Sequence, residues 1–206
     1  MVSTNWIEAV DSAAKRIRML SERSSQIEDP DTTIAIAAPP PDLNSAVEFL
    51  KKERYAEALA LLGDLPRGGR RDPDSLLLRA VLQTHSGQLD DAQRTCTELL
   101  ELDDLNAGAH YVLALCLESL GDPKRAAEHD QVAVYLDPAF AMPRLHLGLL
   151  ARRRGDRAEA RVRLTQALEL LQNEDASRLL LYGAGFGRDV LIRLCCAELV
   201  AAGDKP

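Results

Sequence analysis

The sequence predicts an all-α chain, a solenoid of stacked antiparallel helix pairs, and three observations carry that prediction. Gly87, Gly121 and Gly155 recur at intervals of 34 residues, and Ala58, Ala92, Ala126 and Ala160 keep the same interval. A fixed period of this length marks a helix-turn-helix unit repeated along the chain. The 206 residues are 46% hydrophobic but only 4% aromatic, and abundant Leu, Ala, Arg and Glu favour helices over sheets.

Residues 1–24 read as an amphipathic helix, because Trp6, Val10, Ala13, Ile17 and Leu20 recur at spacings of four and three. Residues 25–41 read as a Pro-rich linker ending in Ala-Ala-Pro-Pro-Pro. Four repeats are expected over 39–174, at 39–72, 73–106, 107–140 and 141–174. The first is degenerate: LNSAVEFLKKE and YAEALALL supply its helices, and Glu53 stands where the others place the turn glycine. The second turns at Ser86-Gly87-Gln88 and the fourth at Gly155-Asp156. In the third, AGAHYVLALCLESL and KRAAEHDQVAVYL are separated by Gly121-Asp122-Pro123. There glycine tolerates a left-handed end to the first helix, aspartate can cap the second, and proline fits its first turn. Ala114 and Ala126 let these two helices approach closely. Residues 175–206 are expected to cap the array with two helices, about 174–182 and 188–201, joined by a glycine turn.

In period, turn chemistry and placement of small residues, these units resemble tetratricopeptide (TPR) repeats. They depart from the pattern early in the first helix, where a large residue is common and Leu76, His110 and Arg144 stand instead. The resemblance implies a right-handed superhelix with a concave groove that binds partners through the second, fifth, ninth, twelfth and thirteenth positions of each repeat. The fifth and ninth positions are Leu43 and Val47, Leu77 and Val81, Tyr111 and Leu115, and Leu145 and Leu149. That row is apolar throughout, and Leu113 to Leu117 is apolar all round, so a second face of this helix needs cover. These side chains either pack within a tightly wound array or hold a helix or peptide. The occupant would be a partner protein or the chain's own residues 1–24, acting as a displaceable lid or a bridge to a preceding domain. No Asn stands at these fifth and ninth positions, which disfavours the carboxylate clamp some TPR grooves use. Arg152 and Arg153 fall at groove positions within a basic run that is either a solvated face or a site for an acidic patch on a partner.

A net charge of −7 argues against a nucleic-acid partner. No apolar run is long enough for membrane insertion, and the N-terminus lacks the basic-then-apolar order of a signal peptide, so a cytoplasmic location is expected. Cys96, Cys116, Cys195 and Cys196 form no CxxC pair and read as reduced, mostly packed thiols. His85, His110, His129 and His146 are scattered and lack zinc-ligand spacing, so no metal is expected.

Gly183, Gly185 and Gly187, followed by Arg188 and Asp189, have the outline of a nucleotide or S-adenosylmethionine loop. Such a loop needs a βαβ unit with a second strand, and the residues after it leave no room for one. The segment LLLYGAGFGRDVLIRLCCAEL resembles the tail of TPR extensions on chemotaxis-receptor methyltransferases of the CheR type. That resemblance covers the final thirty or so residues, and the Pro-rich linker fits the same domain order. It implies a regulatory domain with no catalytic residue and no cofactor of its own. S-adenosylmethionine would bind a separate upstream domain that methylates receptor glutamates, and the chain's partner would be a chemoreceptor or that methyltransferase domain. The alternatives are a freestanding TPR adaptor or chaperone-like scaffold and, from another class, a small nucleotide- or S-adenosylmethionine-binding enzyme.

Overall fold

A computed structural model describes residues 43–203. The helix expected over 1–24 and the linker over 25–41 lie outside the described residues. Within them the chain is helical with no strand. Four helix pairs follow in order: α1 (Leu43–Lys51) with α2 (Tyr55–Gly63), α4 (Pro73–His85) with α5 (Leu89–Leu102), α6 (Ala107–Ser119) with α7 (Pro123–Leu136), and α8 (Ala141–Arg153) with α9 (Arg157–Leu171). The first pair is shortest, and a single turn not anticipated from sequence, α3 (Arg67–Arg70), joins it to the second. Each second helix packs on the first helix of the next unit: α2 on α4, α5 on α6, and α7 on α8.

The periodic residues do the work their chemistry allows. Gly87, Gly121 and Gly155 sit at φ of 75°, 90° and 84°, the left-handed region that reverses the chain between paired helices. Glu53, at the equivalent place in the first unit, is forced to φ 56° without glycine's freedom. Ala58, Ala92, Ala126 and Ala160 have no exposed surface, so each lies where paired helices leave no room for a larger side chain. Aspartate and asparagine caps start the helices: Asn106 Oδ1 accepts from Ala109 N at 2.9 Å, Asp122 from Arg125 N at 3.1 Å, and Asp156 from Glu159 N at 3.0 Å.

Two further helices follow, α10 (Ala176–Tyr182) and α11 (Arg188–Ala201). Only α11 continues the stack, packing on α9 where another unit would begin. The expectation that both helices cap the solenoid is corrected for α10, which turns back across the first helices and reaches α4. The reason is the short, apolar Arg-Leu-Leu-Leu-Tyr run: Leu180 and Leu181 pack on the cluster of α1, α2 and α4, while Leu179 and Tyr182 join the main core.

The turn between α10 and α11 accounts for its glycines. A Cβ on Gly183 would collide with the carbonyls of Leu179 and Phe186, Gly185 sits at φ 79° beside Ala184 at φ 53°, and Gly187 is the N-cap residue of α11. A helix, not a strand, precedes this turn, so the strand-loop-helix outline of a nucleotide loop is absent here.

Candidate functional site

The residues expected to line a groove differ in exposure, and α10 packs near the middle of their row. Leu77, Val81, Tyr111 and Leu145 are buried, whereas Leu43, Val47, Leu115 and Leu149 are half-buried. Tyr111 explains the difference. Its ring stands edge-on to Tyr182 at 5.8 Å and to Phe140 at 5.3 Å, and Phe140 meets Tyr182 at 4.9 Å. Gly108, at the second position of the same repeat, gives Tyr182 its place, since a Cβ there would collide with the tyrosine hydroxyl. His85, at a thirteenth position, is half-buried beside the backbone of Leu181, and burial lowers its basicity. Residues at the second and fifth positions of the third repeat thus pack against the chain's own α10.

Charged contacts also anchor that helix. Arg178 reaches Asp137 at 2.8 Å and Glu174 at 3.2 Å, with its guanidinium 4.3 Å from the centre of the Phe140 ring. Glu174 accepts from Ala141 N at 2.8 Å, and burial pushes its carboxyl upward. Arg188 then ties the turn down through the carbonyls of Gln172 and Glu174. Burial also pushes the phenols of Tyr111 and Tyr182 up, so both stay neutral.

Arg152 and Arg153, expected on either a solvated face or a site for an acidic patch on a partner, have intrachain partners. Arg152 pairs with Glu198 of α11 at 2.7 Å and Arg153 with Glu118 of α6. Glu118 also lies 2.8 Å from His146 Nε2, whose Nδ1 is 2.6 Å from Asp130. Both imidazole nitrogens thus face carboxylates, an arrangement that needs two protons among the three groups. Asp130 has no exposed surface, and burial raises its carboxyl to about 6 despite the imidazole beside it.

A second histidine contact was hidden in the sequence, because its members lie 19 residues apart on paired helices. His110 Nδ1 is 2.9 Å from His129 Nδ1, and His110 Nε2 is 3.2 Å from the Asp104 carbonyl. Since the carbonyl can only accept, His110 donates from Nε2 and takes its other hydrogen bond from His129. Burial lowers both rings' basicity. Among the described residues no group of three or more His, Cys, Asp or Glu side chains is placed to hold a metal ion. Cys96, Cys116 and Cys195 are buried free thiols, with the Cys195 thiol pushed up to about 12 by burial, and Cys196 is exposed. No described helix is long and apolar enough to cross a membrane.

The tetratricopeptide-repeat family model matches residues 85–139, from the turn of the second unit through α5 and nearly all of the third unit. The fold is similar to that of a thermophilic TPR protein from Thermus thermophilus, with a TM-score of 0.60 and 22% identity over 79% of this chain and 90% of that one. It is also similar to the Yersinia enterocolitica type III secretion chaperone SycD, solved in complex with a peptide of the translocator YopD: TM-score 0.53, 22% identity, 63% of this chain and 90% of that one. PcrH in complex with the chaperone binding region of PopD gives a TM-score of 0.53 and 22% identity over 63% of this chain and 89% of that one. A comparison with curated proteins finds no match. At these identities the likeness is one of fold. The class that fold and repeat define is an all-helical, TPR-like solenoid.

Proposed function

We propose that the chain is a non-enzymatic scaffold whose concave face binds an apolar helix or peptide of a partner protein. The observation that carries this reading is the row of Leu, Val and Tyr at fifth and ninth repeat positions, which already accommodates one apolar helix, α10. Two solved structures of similar fold hold peptides of the proteins they serve, which supports the same use here. The test is selection of displayed peptides on the full chain, with Leu115→Asp/Leu149→Asp as control. Helix-forming apolar peptides retained by the wild type and lost by the control are expected; no enrichment overturns the reading.

The finer proposal is that this scaffold is the regulatory part of a chemotaxis-receptor glutamate methyltransferase. The tail LLLYGAGFGRDVLIRLCCAEL supports it. In this reading a chemoreceptor or the methyltransferase domain is the partner, S-adenosylmethionine belongs to the separate catalytic domain, and the site of action is cytoplasmic. The second reading, a freestanding chaperone-like adaptor, is favoured by the likeness to SycD and PcrH. An antibody against the chain separates them. A native band much larger than 22.6 kDa supports the methyltransferase, and a band at 22.6 kDa with proteolysis excluded supports the adaptor.

A further inference from the structure

We infer that α10 is a resident stand-in for the partner, and that the partner is an amphipathic helix carrying its pattern: a cation, leucine next to it, and an aromatic four residues after the cation. This rests on the groove reading above and says what the groove selects.

Each feature of the pattern has its own receptor in the repeats. Arg178 finds Asp137 at 2.8 Å and the face of Phe140, a site that takes a cation with a flat, bidentate head. Tyr182 enters a slot between Tyr111 and Phe140 whose floor is Gly108, where any larger residue would close it. Arg178 and Tyr182 are four apart, so one helix face presents both at once. Leu179 is buried on the same side.

Other features mark α10 as replaceable. With seven residues it is too short to hold helical form without its dock. The turn after it places Ala184 at φ 53°, a conformation an alanine holds only under constraint. The Tyr182 hydroxyl is buried and makes no hydrogen bond among the described residues, so the slot fits the ring better than the hydroxyl. A partner bringing phenylalanine would fill the slot without that penalty.

Tethering gives α10 a high effective concentration, so it competes strongly with any external helix of equal contacts. Its removal from the groove should therefore sharpen binding. The probes are a fluorescein-labelled synthetic peptide spanning residues 174–186 and its Tyr182→Phe counterpart, read by anisotropy against the full chain. A Leu179→Ser/Tyr182→Ser chain should bind the peptide at least about tenfold more tightly than wild type, since the apparent affinity falls with the occupied fraction. The phenylalanine peptide should bind more tightly than the tyrosine one. A Gly108→Ala chain, whose slot is blocked, should gain no affinity for the tyrosine peptide. If the double variant is folded by circular dichroism, retains the peptides selected above, and binds the tail peptide no better than wild type, the inference falls and the groove reading stands. If no chain retains any helical peptide, both fall. If the double variant does not fold, hydrogen exchange on the wild type decides. Amides of α10 exchanging faster than those of α6 and α8 are expected; equal protection overturns the inference, because α10 would then open only with the whole fold.

Discussion

Two joints in the array use the same register and opposite chemistry. Where the first unit meets the second, Leu62 of α2 and Leu78 of α4 are buried in one apolar cluster. One period later the same places hold Cys96 and Val112, both buried. Another period later they hold Asp130 and His146, 2.6 Å apart, with Asp130 wholly buried. The repeat fixes where a contact falls without fixing what it is made of. An apolar joint tolerates imperfect partners, whereas an ionic one in the interior is strongly penalised when either partner is lost. Adjacent units of one fold should therefore fail in different ways.

The sharpest test is to convert one joint into the other. His146→Leu alone should lose about 3 kcal/mol or more in urea unfolding, because Asp130 is left buried without its partner. Asp130→Leu/His146→Leu, which copies the first joint, should return to within about 1 kcal/mol of wild type or exceed it. If the double variant is as weak as the single, the joints are not interchangeable. Next in size is crowding at the periodic alanines. Ala126→Leu, between full-length helices, should cost about 1–3 kcal/mol by thermal unfolding. Ala58→Leu should fall at the lower end of that range, since helices of nine residues at the edge of the described array shift more easily.

The ionic joint also predicts a pH dependence that the apolar one lacks. Folding raises the Asp130 carboxyl to about 6, so the folded chain keeps a proton that the unfolded chain has released. The contribution is fully present below about pH 4 and is lost as pH rises through 6, on the order of 3 kcal/mol in all. Urea titrations at about pH 4.5 and 7 should show this difference in wild type and its disappearance in Asp130→Asn. The smallest effect belongs to the first unit. Glu53→Gly should gain about 1 kcal/mol by relieving its left-handed backbone, while Gly121→Ala should lose a similar amount.

These contrasts show what was readable beforehand. The glycine period located the turns because a left-handed residue is needed at each, and even Glu53, without glycine's freedom, obeys it. The alanine period located the close approaches for a similar steric reason. The burial of Tyr111 against Tyr182 did not follow from the repeat, since a repeat describes neighbours and α10 arrives from outside the period. Gly108 was the available signal: glycine early in a helix, with no turn to explain it, marks a place where something comes close. The Asp130–His146 contact and the His110–His129 contact were hidden because each needs the relative rotation of two helices, which spacing along the chain does not specify. Arg152 and Arg153 looked unengaged because Glu198 and Glu118 lie 46 and 35 residues away.

Stacked repeats ordinarily behave as a line, each unit supported by its neighbours, so that an end can come apart while the middle survives. The return of α10 changes that connectivity. Tyr182 rests on Tyr111, Leu181 faces His85, and Gly185 lies beside the Glu53 carboxylate, so one short segment touches three of the four units. The line is fastened back on itself, and the first unit cannot peel away while the fastening holds. Releasing α10 would thus also free the units from one another, turning a single cooperative block into a zipper whose teeth melt in sequence.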